Sequence, residues 1–319
     1  MIAPLFLTLF AQNRMIVYHY TNIANLDKII SYNSAETPEL KFRATNCKFL
    51  NDGTENTLGI NIVSQFLASV EDSLNIKQED KISPLLDIPG YIEHIYQNQK
   101  KFNDHNPTTD NYIISFSCDR DSLVMWSMYG NKGDGVAIGV ESSLLNIPIE
   151  KGFNTDKRKC TYWPQRAIIE LNENISPDLF ASIKDTYVLM TNPNVKESFI
   201  KKYDAKTRGN KDDMIFRYKE TILMNLVTFY SIFHKLDMWS NENEFRFSTA
   251  GFGPVVRYYK NTKGMYIPYI DVSFPIDALK EIVIGPTCGR NAYGMVKSLM
   301  YERRLLQFPT IIESQCPLQ

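Results

Sequence analysis

Cysteine is scarce in this chain, with five residues in 319, and Cys47, Cys118, Cys160, Cys288 and Cys316 all lie far apart. No two share the close spacing of a structural zinc site, and an odd, scattered set supplies no disulfide framework. Such usage belongs to a reducing compartment, so the chain reads as cytoplasmic, with mostly inert thiols. Charge of one sign is lacking too. Thirty-five basic residues stand against 36 acidic ones, a formal charge of -1, which excludes a global field for nucleic acid or anionic membrane. Two local basic runs, Lys201 to Arg208 and Asp156 to Lys159, read as solvated loop or helix faces, with a phosphate contact as the alternative. No stretch is long and apolar enough to span a bilayer. The apolar opening, Met1 to Ala11, is too short and has no basic residue before it. Residues 1–14 are therefore read as a leader or extension, with the domain starting at Met15 and no membrane partner.

Repeats, low-complexity tracts and clear linkers are absent. What is present is 44% hydrophobic and 12% aromatic content, enough for a substantial core. Apolar periodicity predicts strands at 15–18, 112–117, 135–140, 160–163, 244–249, 255–259, 265–270, 281–285 and 306–312. It predicts helices at 23–32, 55–74, 89–102, 123–129, 176–190, 212–235 and 291–304. Strands at both ends and helices between them give an α+β class: a central, mostly antiparallel sheet from the N- and C-terminal strands, with a helical middle. The simplest arrangement is one domain over 15–319 with a helical insertion at about 165–235.

The most informative segment is Glu242-Asn243-Glu244-Phe245-Arg246-Phe247. Read as a strand, it puts Glu242, Glu244, Arg246 and Ser248 on one face and the two phenylalanines on the other. A carboxylate pair repels unless a cation or ligand compensates. Arg246 is that cation in a structural reading, and Glu244 and Glu242 are functional acids in the other. His19, in Tyr18-His19-Tyr20-Thr21, ends an apolar strand where its ring nitrogens could meet a ligand hydroxyl or serve the core. Asn51, Asp52 and Glu55 sit in a turn before a helix, where carboxylates cap free amides or, alternatively, bind a metal. Ser115 and Ser117 share a strand face opposite Phe116. Trp126 and Tyr129, three apart on a helix, serve as core or stack on a ring-bearing ligand. No histidine spacing or aspartate series supports a dedicated metal site.

Taken in order, Tyr18 to Thr21, Leu50 to Glu55, Ser115 to Ser117, Met125 to Tyr129, Gly135 to Gly139, Glu242 to Arg246 and Glu281 to Pro286 resemble the bacterial family catalogued as domain of unknown function 2971. The resemblance spans about residues 15–290 and carries no reaction with it. More remotely, the order His19, Ser115-Phe116-Ser117 and Glu242-Asn243-Glu244 resembles ADP-ribosyltransferases. That resemblance implies NAD as substrate and a role in stress or phage defence. His19 and Thr21 would hold the nicotinamide ribose, and Ser115 and Ser117 would shape the pocket. Glu244 would stabilise the cation-like transition state, and Glu242 would orient or deprotonate a protein or nucleic-acid acceptor. An early histidine combined with a Glu-x-Glu pair departs from the usual patterns of that superfamily. Two other readings are a non-enzymatic nucleotide or metabolite sensor in which Trp126 stacks on the ligand, and a metal-dependent nuclease using Asp52, Glu55, Glu242 and Glu244.

Overall fold

Alternating apolar residues at both ends of the chain build one large sheet, and amphipathic segments between them build helices. The computed structural model describes residues 14–50, 55–100, 110–146, 153–164, 177–207, 211–251, 255–261 and 263–317. In chain order the strands are β1 (Ile16–Asn22), β2 (Ile30–Tyr32), β3 (Pro38–Asn46), β4 (Asn111–Ser117), β5 (Gly135–Glu141), β6 (Phe153–Lys159), β7 (Thr161–Trp163), β8 (His234–Leu236), β9 (Glu244–Gly251), β10 (Arg257–Lys260), β11 (Tyr266–Pro275), β12 (Leu279–Ile284) and β13 (Thr310–Glu313). The helices are α1 (Leu26–Ile29), α2 (Glu55–Ser73), α3 (Tyr91–Lys100), α4 (Leu123–Met128), α5 (Pro177–Met190), α6 (Pro193–Thr207), α7 (Lys211–Phe233) and α8 (Ala292–Glu302). The class is α+β, and the large sheet is antiparallel except where β13 runs parallel to β12.

The chain forms two compact units. The helical unit draws on described residues of 55–100 as well as of 161–238. In it α2 lies close against α7, because a Cβ at Gly59 would stand 2.1 Å from the Val227 carbonyl oxygen. Buried Glu71 accepts from the Ile82 amide at 2.6 Å and from the Tyr187 hydroxyl at 2.9 Å. That pairing offsets the cost of placing a carboxylate among apolar side chains.

The sheet unit holds residues 106–160 and 239 onward together with the first strands. Its order is β10-β11-β3-β4-β1-β5-β12-β13, with β9 on the other edge of β4 and β6 beyond β9. Strand β4 is shared unusually. Along one edge it pairs with β9, from Asn111–Ala250 to Ser117–Glu244. The other edge is divided: Tyr112 and Ile113 pair with Asn46 and Thr45 of β3, and Ser117 pairs with Tyr18 of β1. Strands β3 and β1 thus leave the same edge in succession and diverge, opening a fork beside Ser115.

One face of this sheet carries the main core, including Val17, Phe42, Phe116, Ile138, Phe245 and Phe247. On the opposite face β5 presents Gly135, Ala137 and Gly139. Tyr18, Gly139 and Glu281 are partners on three successive strands. With no side chain at Gly139, the Tyr18 hydroxyl reaches across β5 and donates to Glu281 Oε1 at 2.8 Å.

Three local expectations need correction. The helix predicted for 23–32 is a 3-10 turn, Ile23–Asn25, then the four-residue α1, then β2, because Ile30 and Tyr32 are drawn into pairing with β3. Residues 156–159 form part of β6 rather than a solvated loop, and Lys157 is only 8% exposed. The Lys201 end of the other basic run lies on α6, while Arg208 falls outside the described residues. Finally, Glu242 is not on the strand. It ends the 3-10 turn Asp237–Glu242, Asn243 takes a left-handed φ of 42°, and β9 starts at Glu244.

Candidate functional site

The fork between β1 and β3 holds a cavity of about 390 Å³ within the sheet unit. His19 and Thr21 of β1 and Asn25, Lys28 and Ile29 of the following turn and helix line one side. Lys41, Phe42, Arg43 and Thr45 of β3, Arg257 and Tyr259 of β10, and Tyr269 and Asp271 of β11 line the other. Alternation brings the polar members together. Thr45–Tyr269–Arg257 and Arg43–Asp271 are register partners, so their side chains emerge on one face. Four cations thus meet one carboxylate in the lining. Arg257 is ion-paired with Asp271, Lys41 pairs with Glu39 at 3.0 Å, and the Arg43 guanidinium lies 4.9 Å from the Tyr269 ring centroid. Tyr259 and Tyr269 are 5.8 Å apart.

His19 sits at the root of the fork. Its ring meets Phe42 and Phe116 edge-on, at 5.2 and 5.9 Å between centroids. Its Nδ1 lies 3.0 Å from the Ser115 carbonyl oxygen. A carbonyl only accepts, so Nδ1 carries the proton, and in the neutral ring Nε2 is the acceptor. Burial pushes the His19 pKa below its ordinary value, outweighing the hydrogen bond to Ser115 that favours the charged form. Thr21 Oγ1 accepts from Asn25 Nδ2 at 2.9 Å.

The other expected site residues lie elsewhere. Tyr18 and Ser117 are register partners, as are Ser117 and Glu244, so all three share a face, and His19 points to the opposite one. The shared pocket expected for His19, Ser115, Ser117 and Glu244 does not form. Glu244 instead accepts from Arg246 Nε at 2.8 Å, with both side chains buried. Glu242 accepts from the Tyr129 hydroxyl at 2.6 Å, and its carbonyl accepts from Ser117 Oγ at 2.8 Å. Ser115 is exposed and contributes its carbonyl, rather than its hydroxyl, to His19.

Trp126 is fully buried, edge-on to Tyr20 at 4.8 Å, and donates Nε1 to Asp121 at 2.6 Å. That environment suits packing and offers no open ring face for a ligand. The Tyr20 hydroxyl donates to the Asp119 carbonyl at 2.8 Å and accepts from the Ser122 amide at 3.1 Å. Asn51 and Asp52 lie outside the described residues, and Glu55 is the first residue of α2. Among the described residues no group of three or more His, Cys, Asp or Glu side chains converges as a metal site would require.

Sequence reading found His19 and Thr21 but missed the cationic and tyrosine wall. Its residues come from α1, β3 and the β10–β11 hairpin, and long-range pairing of β3 with β11 brings the strand residues together. The available signal was the alternation Lys41, Arg43, Thr45 and Arg257, Tyr259 at strand spacing.

Residues 125–247 match the model of a family described as a protein of unknown function (DUF2971). The match is narrower than the expected 15–290. It takes in Trp126, the Gly135 to Gly139 strand and the Glu242 to Arg246 segment, and it ends before β10. No curated protein and no solved structure matches the chain. No described helix is long and apolar enough to cross a membrane.

Proposed function

We propose that the fork cavity binds an anionic, ring-bearing small molecule of the nucleotide class. The observation that carries this reading is the lining itself. Lys28, Lys41, Arg43 and Arg257 stand against one acid, Asp271, beside two tyrosine rings and a neutral histidine. The cations suit a diphosphate, which is polyanionic. The rings suit a base, and the lone pair on His19 Nε2 suits a sugar hydroxyl, which can donate to it. The test is calorimetric titration of the full chain with NAD, ADP and pyrophosphate. Both nucleotides are expected to bind more tightly than pyrophosphate, and Arg43→Glu to weaken them at least tenfold, about 1.4 kcal/mol. Binding of pyrophosphate alone, or of none of the three, removes the reading.

A second reading makes NAD a substrate for ADP-ribosyl transfer. It draws support from His19 and Thr21 lining one cavity. It also needs a carboxylate near the reacting ribose. Asp271 is the acid in the described lining, and Glu244 is engaged with Arg246 outside it. Nicotinamide release from NAD, compared between the wild-type chain and Asp271→Asn, tests it. No release with either, across protein and nucleic-acid acceptors, leaves binding without transfer.

A further inference from the structure

The β10–β11 hairpin carries a surface that the fork cavity does not use. Between Val255 and Ile270 the sequence has four tyrosines, three basic residues and no acid. Register partners Tyr258–Pro268 and Lys260–Tyr266 put Tyr258, Lys260 and Tyr266 on one face of the hairpin. Arg257, Tyr259 and Tyr269 take the other face, in the cavity wall. The outer rings are strongly exposed, Tyr258 at 50% and Tyr266 at 67%, and Lys260 and Lys263 are exposed beside them.

Asn261 Oδ1 accepts from the Lys263 and Met265 amides at 3.0 and 2.9 Å, and Gly264 supplies the left-handed φ of 82° that closes the turn. Strand β10 stands at the end of the strand order, so the face is presented from an edge of the sheet.

Exposed rings interleaved with cations, and free of acids, complement a chain that offers both flat aromatic faces and negative charge. Single-stranded nucleic acid offers both. Its unpaired bases stack on side-chain rings whatever their sequence, and its phosphates attract lysine. A duplex keeps its bases stacked on one another and satisfies only the lysines. We infer that this hairpin face binds single-stranded nucleic acid, with Tyr258 and Tyr266 stacking on bases and Lys260 and Lys263 meeting phosphates. The site is local, in keeping with a chain whose net charge is -1.

The experiment is fluorescence anisotropy of labelled single strands of about 12 nucleotides, a length within the range covered by comparable stacking surfaces. DNA and RNA strands are titrated with the full chain between roughly 50 and 200 mM salt. Binding is expected for single strands, at least tenfold weaker for the matching duplex, and weaker as salt rises. Tyr258→Ala/Tyr266→Ala is expected to weaken it at least tenfold with an unchanged far-UV spectrum, since both side chains are exposed. Lys260→Ala is expected to reduce the slope of log K against log salt by about 0.7. Arg43→Glu, which disables the fork cavity, should leave strand binding intact, so the two sites stand or fall separately. The inference is overturned by no single-strand binding at the lowest salt, by equal affinity for duplex, or by indifference to the tyrosine substitutions. It is equally overturned if the chain binds phosphatidylserine vesicles and not the strands.

Discussion

Glu244 and Arg246, two residues apart on β9, close a buried ion pair at 2.8 Å, with side chains 6% and 2% exposed. Removing one partner deprives the other of this compensation, a loss that in buried pairs runs to about 3–5 kcal/mol. Arg246→Met and Glu244→Gln are therefore each expected to lower unfolding free energy by that order in urea titrations. The double substitution should recover part of the loss, because the two sites are coupled. Full stability in Glu244→Gln, together with a lost activity, would return that glutamate to a catalytic role.

That pair also shows how far the sequence could be read. Alternation along 244–248 was legible, and so were the α+β class and most strands, since period-two and helical patterns are local properties. Glu242 was misplaced by one turn, because Asn243 adopts a left-handed conformation that no hydrophobic pattern records. The sidedness of His19 relative to Glu244 depends on the register Tyr18–Ser117–Glu244, which only the folded sheet fixes. Strand β6 was missed because Asn154 to Lys159 is polar throughout, and pairing with β9 overrides its weak intrinsic preference.

His19 gives an acid-sensitive signature. Burial holds its folded pKa below the ordinary 6.5, so in the window between those two values the unfolded chain binds more protons than the folded one. Stability therefore falls as pH drops below 6.5 and through the folded pKa. His19→Phe, which can rest between Phe42 and Phe116, should flatten that part of the profile. The measurement is urea midpoint against pH for both chains. A parallel loss in both excludes His19 as the source.

Lys157 gives the same sign in an alkaline window. Its Nζ donates to the Ser142 and Ser143 carbonyls and to Asn146 Oδ1, at 2.7, 3.1 and 2.9 Å. Desolvation still lowers its pKa from 10.5 to about 8. Between those values the folded chain binds fewer protons, so stability relative to Lys157→Met should rise with pH. With the shift discounted for solvent screening, the gain is of the order of 1–2 kcal/mol. Equilibrium unfolding of both proteins across that range checks the sign.

Gly139 tests the crossing of β5 by Tyr18. An added Cβ would stand 2.9 Å from Tyr18 Cε1 and 3.1 Å from Ile16 Cγ2. Gly139→Ala is expected to cost about 1–3 kcal/mol by overpacking. Tyr18→Phe removes only the hydroxyl donated to Glu281, which retains Arg120 at 3.2 Å, and should cost about 1 kcal/mol. Equal losses in the two variants would show that the hydroxyl bond, and not the packing of the ring, carries the contact, whereas no loss in Tyr18→Phe would assign it to the ring.

Asp121 ties the last strand to the loop before α4. Its Oδ1 accepts from Trp126 Nε1 and Ser314 Oγ, each at 2.6 Å, and its Oδ2 accepts from the Gln315 amide at 2.7 Å. Burial raises its pKa, but the donors from Ser314, Trp126, Gln315 and Cys316 outweigh it and hold the carboxyl below the usual range. Asp121→Asn keeps the shape but loses the charge and turns one acceptor into a donor facing donors. A loss of about 2–3 kcal/mol follows from weakened charge-assisted bonds and an unpaired indole. Because the segment after β13 is held by this seat, exchange of the Gln315 amide should accelerate far more than that of Ile282 on β12, which is fully buried between β5 and β13. Equal acceleration at both positions would mean that Asp121 supports the whole sheet unit rather than the seat of its final strand.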